Sequence, residues 1–378
     1  MSDQSVFITG ADGYLGSRVA RRYLDSTDLR VRLWVRAGDP AEFETKKAAL
    51  IERLSPRADR VSYHWGDLVW EAPFPSLDPS GISHVVHCAA ITRFNVDEHS
   101  ARRINVEGTA RVLEFADRCP DLRSVGLVST VYSSGLKAGP IEEVRFDDTG
   151  FANHYEQSKW SAEELLFNRF DHLPWRVLRV ATIVADDEDG RVSQYNAVHN
   201  TLKLFYYGLL SIVPGRPATP VYFVTGSSAS EALFALVSGG ESRSIYHVNH
   251  TRAESLTLQE LIEVAFECFS EEKSFRTRRV LKPLFSDAES FDLLVEGARS
   301  FGGGVIGQAL SSVAPFAKQL FIAKDIHNAR LSSALGGFPA PDRRRILEST
   351  CRDLVCTGWG RQACSAAVRG THFQGVRA

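Results

Sequence analysis

No stretch of the chain approaches the roughly 20 consecutive apolar residues that cross a bilayer, so the sequence offers no transmembrane segment. Charge of one sign is lacking as well. The formal net charge is -2 over 378 residues, which gives a nucleic acid no polyelectrolyte footing, and short clusters such as Arg343-Arg344-Arg345 read as solvated surface. Internal repeats and low-complexity linkers are missing, which excludes solenoids and tethered arrays. The six cysteines are scattered. Cys351, Cys356 and Cys364 gather near the C-terminal end with His372 beyond, in a spacing that fits no zinc site, so no metal is expected. Free thiols in a reducing cytoplasm are the expectation. The first ten residues run almost directly into an apolar strand and leave no room for a secretory leader, which again points to a cytoplasmic protein. What is present is ordinary for a folded chain: 44% hydrophobic and 24% charged residues, with a length that suits two domains or one large elaborated one.

The stretch around which the rest is arranged is residues 151–170, FANHYEQSKWSAEELLFNRF. Tyr155 and Lys159 stand four residues apart in a helical pattern, so both side chains fall on one face, roughly 6 Å apart. A phenol with an ordinary pKa of about 10 needs a nearby cation to share its proton near neutral pH. A lysine on the same face supplies one, and the pair suits general acid/base work on a carbonyl or hydroxyl. The same spacing occurs in ordinary amphipathic helices. What lies N-terminal to it gives it weight.

SVFITGADGYLGSRVARRYL opens with a short apolar strand, turns through Gly10, Gly13 and Gly16, and continues as a helix. That is the strand, glycine turn and helix order of a dinucleotide site. Gly10 permits the tight turn, Gly13 lets backbone approach a pyrophosphate, and Gly16 lets the helix pack on the strand. The next strand, LRVRLWVRAGD, ends in Arg36 where an NAD site would place a carboxylate on the adenosine ribose. A guanidinium suits a 2′-phosphate, which favours NADPH. Residues 40–60 read as a charged helix. Further strands are expected to end at Asp67 and Leu68, at Ala89 and Ala90, and at Ser129 and Thr130, with the helix ARRINVEGTARVLEFADRC between the last two. Strands alternating with helices give an α/β fold, a Rossmann-type doubly wound parallel sheet. Ligands in such sheets sit beyond the C-terminal strand ends, where Gly10, Arg36, Asp67, Ala89 and Thr130 all fall.

With TGADGYLG, GDL, HCAA, NVEGT, STVY and the Tyr155/Lys159 pair in this order, the chain resembles an extended short-chain dehydrogenase/reductase over residues 5–185. AAITRFN and YEQSKWSAEELL are similar to the branch that holds fatty acyl-CoA reductases, carboxylic acid reductase domains and the thioester reductase domains of peptide and polyketide synthases. The resemblance implies that the turn residues Gly10, Ala11, Asp12, Gly13, Tyr14, Leu15 and Gly16 hold the pyrophosphate and Arg36 the 2′-phosphate. It implies Asp67 and Leu68 beside the adenine, and Ala89 and Ala90 along the cofactor. It implies Thr130 as the catalytic hydroxyl, with Ser129 the neighbouring candidate. Asn105 is either a cofactor-side residue or one that holds backbone between strands. Ala181, Thr182 and Ile183 would contact the carboxamide of the cofactor, and Lys159 its ribose. Val180 stands where the family usually has proline.

The resemblance further implies a domain boundary near residue 185, a smaller substrate region over 186–355 that exchanges strands with the first domain, and a poorly ordered tail over 356–378. DDEDGRVSQYN reads as a loop able to close over a substrate. Residues 284–335, with a glycine run at 302–304, read as helices completing the smaller domain or as a lid for a lipid-like chain. The implied activity is reduction of a coenzyme A- or carrier-bound acyl thioester to an aldehyde, with onward reduction to alcohol left open. The implied partner is an acyl or peptidyl carrier protein. The alternatives are an NADP-dependent ketone or secondary-alcohol oxidoreductase, a sugar-nucleotide epimerase, which Arg36 disfavours, and a non-catalytic NADPH-binding protein.

Overall fold

The computed structural model of the chain describes residues 4–54, 58–300 and 313–362. Its centre is a sheet of seven parallel strands: β1 (Ser5–Thr9), β2 (Arg30–Arg36), β3 (Val61–Gly66), β4 (Ile82–His87), β5 (Ser124–Thr130), β6 (Trp175–Val180) and β7 (Ser244–Val248). They lie in the order β3-β2-β1-β4-β5-β6-β7. Every residue of β1, β5 and β6 is buried. Parallel strands covered on both faces read as continuous apolar runs for this reason.

The two-residue period of β1 divides the interior. Val6 and Ile8 face one core, filled by α1 (Tyr14–Ser26), α2 (Pro40–Leu54) and, later in the chain, the helix Gly226–Gly239. Phe7 faces the other, filled by α3 (residues 98–117) and α4 (His154–Arg169). A third core lies in the C-terminal half between α5 (Ala197–Tyr206), the helix Leu258–Ser270 and the helix Arg343–Cys356. In α3, Glu98–Ala101 passes through a π-helical stretch, Arg102–Glu107, into Gly108–Asp117.

The C-terminal half is woven into the first sheet. β7 pairs with β6 from Ser244 opposite Arg176 to Val248 opposite Val180. Lys324–Ile326 adds a parallel pairing to Gly139–Ile141. Val180 keeps β6 in register to its end, and the Ala181 amide then donates to Val248 O at 3.0 Å. Two strands and one helix stop earlier than the sequence pattern suggests. β3 ends at Gly66, so Asp67 and Leu68 begin the following turn, β4 ends at His87, ahead of Ala89 and Ala90, and α2 ends at Leu54. The expectation of free thiols holds at Cys88, Cys119, Cys268 and Cys351. It is corrected at Cys356, which is disulfide-bonded. The glycine run 302–304, Cys364, His372 and the tail from residue 363 lie outside the described residues. Among the described residues no helix is long and apolar enough to cross a membrane.

Candidate active site

β1 and β4 are neighbours whose chain connections depart to opposite sides, so a crevice opens beyond their C-terminal ends. The glycine turn fills its floor. Gly10 has φ +65, and a Cβ there would stand 2.8 Å from the Ala89 backbone. At Gly16 a Cβ would meet Gly10 O at 2.1 Å, so only glycine lets α1 sit this close to the turn. Gly13 is the N-cap of α1 and makes no side-chain cap bond, so the first-turn amides are open to an anion. Ala11 is fully buried, its amide donating to Trp34 O at 3.2 Å. The chemistry of a dinucleotide's pyrophosphate fits this cradle.

Arg36 and Asp67 close the adenosine side. They leave adjacent strand ends and approach to 3.8 Å, with the Arg36 side chain 64% exposed. Leu68 is buried against Gly108. Two cations of α2 that the sequence reading passed over stand nearby. Lys46 donates to Arg36 O at 2.6 Å and lies 3.9 Å from the Asp12 carboxylate, and Arg53 donates to Asp12 O at 3.0 Å.

α4 starts at an Asn153 cap, whose side chain accepts from the Glu156 amide at 3.0 Å. The helix presents Tyr155 and Lys159 to the end of β5. Tyr155 and Thr130 line the same cavity, and Thr130 Oγ1 accepts from the Tyr132 amide at 3.3 Å. Burial raises the Tyr155 pKa above the usual phenol value, and the Thr130 side chain pulls the other way without cancelling it. The phenol is therefore held protonated at neutral pH. Lys159 is buried and donates from Nζ to Val128 O at 2.6 Å. Burial lowers its pKa to about 8, with Glu163 opposing.

Behind this face, Ser129 donates to Glu163, and Glu163 pairs with Arg179 at 2.7 Å with both side chains out of solvent. Arg179 also donates to Val144 O at 2.8 Å and lies 3.5 Å above the Phe146 ring. Asn105 sits in the π-helical stretch and is 1% exposed. Its Oδ1 accepts from the Ile91 amide at 2.8 Å, and its Nδ2 donates to Ile91 O and Ser158 Oγ, both at 2.9 Å. Those bonds tie the loop after β4 to α4 and occupy the amide.

One cavity of about 670 Å³ joins these parts. Gly13, Tyr14, Leu15 and Ala90 line it on the turn side, and Ser129, Thr130, Tyr155 and Lys159 on the α4 side. Ala181, Thr182 and Ile183 line it from the end of β6. Tyr14 donates to the Asp186 carboxylate at 2.6 Å, which ties the turn to the polar loop after Ala185. Gly10, Ala11, Asp12, Gly16, Arg36, Asp67, Leu68 and Ala89 lie outside this space, under the turn or along the strand ends, and so does Asn105 in α3.

Residues 8–227 match the family described as Male sterility protein. The chain belongs to this family. Members are NAD(P)-binding reductase domains of the extended short-chain dehydrogenase/reductase class, the branch that contains thioester reductases. An isonitrile lipopeptide synthase of Streptomyces coeruleorubidus is 30% identical over 211 residues, covering 52% of this chain and 14% of that protein. A carboxylic acid reductase of Segniliparus rugosus is 29% identical over 212 residues, covering 48% and 18%. The chain thus spans less than a fifth of the length of these curated relatives. In fold it is similar to the terminal R domain of the myxalamid PKS-NRPS pathway, with a TM-score of 0.74, 21% identity, and 94% and 91% of the two chains covered. A thiolation-reductase di-domain of an archaeal non-ribosomal peptide synthetase gives a TM-score of 0.67 at 15% identity, covering 94% and 76%.

For a member of the male-sterility family, the described cavity contains one wall the sequence reading did not assemble. Phe94 meets Tyr155 edge-on at 5.6 Å between ring centroids, and Phe316 stacks on Phe94 at 5.1 Å. Tyr132 meets Phe316 edge-on, also at 5.1 Å. Phe94 and Tyr132 lie within motifs visible in the sequence, but nothing local marks Phe316.

Proposed function

We propose that the chain is an NADPH-dependent reductase that converts a carrier- or coenzyme A-bound acyl thioester to an aldehyde. The observation that carries this reading is the meeting of Tyr155, Thr130 and Lys159 on the wall of one cavity shared with the glycine turn. The cofactor, when bound, supplies a hydride to the thioester carbonyl carbon. Tyr155 and Thr130 hold the carbonyl oxygen in this reading, where negative charge develops, and fixed donors at that point lower the barrier. Tyr155 then gives the oxygen its proton. The C–S bond of the resulting hemithioacetal breaks, and its hydroxyl proton leaves with the thiol. Lys159, one helical turn along the same face, holds its positive charge where the ribose hydroxyls of the cofactor would lie. Arg36 at the end of β2, with Lys46 and Arg53 close by, supports a 2′-phosphate and hence NADPH.

The carrier reading draws support from the similarity to a reductase joined to a thiolation domain. A cytoplasmic location goes with it. The test is free-thiol release coupled to NADPH oxidation with purified protein and acyl-CoA thioesters. One thiol per NADPH in the first turnover is the expected result. Turnover of ketones with no thioester accepted would replace this reading with a ketone reductase.

A further inference from the structure

Tyr155 is the second residue of α4 and so stands in its first turn, where the backbone amides have no partner within the helix and fraying is easiest. A proton donor placed there needs support from outside the turn, because a shift of about 1 Å at a reacting group can cost about 10²-fold in rate. Part of the support is local. Asn153 Oδ1 accepts from the Glu156 amide at 3.0 Å. The Glu156 carboxylate accepts from the Ala152 amide at 3.1 Å and from Asn153 Nδ2 at 3.0 Å. Glu156, next to Tyr155 in the chain, is fully buried.

The rest comes from a segment 163 residues further along the chain. Gln319 Nε2 donates to Glu156 Oε2 at 2.8 Å and to Gly135 O at 3.1 Å. Both partners are acceptors, which requires the amide nitrogen, not the oxygen, to face them. Asn153 Nδ2 also donates to Pro315 O at 3.0 Å. Phe316 stands three residues before Gln319 in a helical stretch. It stacks on Phe94 at 5.1 Å, and Phe94 meets the Tyr155 ring edge-on at 5.6 Å. The segment is itself anchored. Lys324 Nζ donates to Gly135 O at 2.6 Å and to Ser134 Oγ at 2.9 Å, and Lys324–Ile326 pairs with Gly139–Ile141. Gln319 is 4% exposed. Burying an amide costs desolvation that a hydrocarbon of the same shape would not, so its place is explained by what its nitrogen holds.

We infer that Gln319 is a positioning residue for Tyr155. By holding Glu156 it fixes the first turn of α4 against the segment that carries Phe316, and so fixes where the phenol meets the carbonyl oxygen. The inference rests on the reading of Tyr155 as proton donor. Gln319 does not line the cavity, so its effect passes through the helix. Losing its bond loosens the phenol and leaves both binding sites as they were. The chemical step therefore slows while binding holds.

The test measures single-turnover hydride transfer from NADPH to hexanoyl-CoA by the intact chain, in the parent, Gln319→Met, Tyr155→Phe and the double variant. Gln319→Met keeps the length of the side chain and removes the donor. It should lower the rate about 10- to 50-fold, with the dissociation constants of NADPH and hexanoyl-CoA within about 3-fold of the parent. In the Tyr155→Phe background no proton donor is left to misplace, so the same change should alter the rate less than about 2-fold. A merely structural role lowers the rate by one factor in both backgrounds. That result, or parental turnover in Gln319→Met, overturns the inference and leaves the thioester reading standing. Asn153→Ser keeps the cap acceptor and removes both Nδ2 donations. It should show the same pattern more weakly, and it replaces Gln319→Met if that variant melts below the assay temperature. Hydrogen exchange over residues 152–159, followed by mass spectrometry, should quicken in Gln319→Met, and unchanged exchange there overturns the inference whatever the substrate. Tyr155→Phe turning over as the parent does overturns the proton-donor reading and the inference with it. A parent that reduces no hexanoyl-CoA counts against the thioester reading alone, and the exchange measurement then decides the inference.

Discussion

Arg179 and Glu163 meet at 2.7 Å behind the end of β5, with neither side chain reaching solvent. The Ser129 hydroxyl is drawn into this pair, because Glu163 accepts it. Of two adjacent hydroxyls at the strand end, one is therefore spent on a buried carboxylate, and the other, Thr130, lines the cavity with Tyr155, its oxygen accepting from the Tyr132 amide at 3.3 Å. Removing one member of such an arrangement leaves charge without its partner, which costs more than the pair itself contributes.

Thr130→Ala and Ser129→Ala should therefore separate. Loss of the Thr130 donor is expected to lower the single-turnover rate about 10²-fold, the effect of losing one oxyanion contact. Loss of Ser129 should lower stability by about 1–3 kcal/mol by leaving Glu163 one donor short, with a smaller effect on rate. Rapid-mixing kinetics and urea denaturation on both variants check this. Equal rate losses would mean that Ser129 shares the oxyanion.

Arg36→Ala is expected to weaken NADPH binding roughly 10- to 150-fold, the range for one charge-assisted contact of about 1.5–3 kcal/mol. NADH binding should change little. The side chain is mostly exposed and its ion pair with Asp67 is long, so the fold loses little with it. Titration of both cofactors by fluorescence gives the comparison, and tighter NADH binding in the parent protein would sink the assignment.

Tyr155→Phe keeps the ring against Phe94 and removes the proton donor. Its rate should fall 10²- to 10⁴-fold, with NADPH affinity nearly unchanged. Lys159→Ala should cost both rate and cofactor affinity. Near-parental turnover in Tyr155→Phe would return the pair to an ordinary helix face.

What was legible in the sequence was what is local. The glycine turn, the order of strands and helices, and Tyr155 with Lys159 are each set by spacings of a few residues, and the sheet follows from their alternation. Strand ends were less legible, because Asp67 and Ala89 carry the pattern of the strand while their backbone has already turned. The choice between Ser129 and Thr130 depends on Glu163, which lies 34 residues away. The bonds of the Asn105 amide to Ile91 and Ser158 join segments 14 and 53 residues away, beyond the reach of a local pattern. Phe316 has no local signature, since its place comes from Gln319 reaching Glu156 across 163 residues.

That reach leads to the last prediction. Glu156 follows Tyr155 directly and is buried, accepting from the Ala152 amide at 3.1 Å, from Asn153 Nδ2 at 3.0 Å and from Gln319 Nε2 at 2.8 Å. Burial raises its pKa from 4.5 to about 7, outweighing those bonds and the attraction of Lys324. Below pH 4.5 the carboxyl is neutral in both folded and unfolded chains. Between about 4.5 and about 7 the folded chain holds a proton that the unfolded chain has lost, so the contribution of Glu156 to stability falls as pH rises through that window and is level above it. Glu156→Gln cannot titrate and lacks this slope. The stability of the parent relative to Glu156→Gln should therefore fall by up to about 3 kcal/mol between pH 5 and pH 8. Lys324 and Lys159, both lowered to about 8, titrate above this window and are common to the two proteins. Urea denaturation followed by circular dichroism at half-unit pH steps measures the difference. Parallel stability curves across the window would show that Glu156 keeps an ordinary carboxylate pKa, and that Gln319 is held by a hydrogen bond whose strength does not depend on pH.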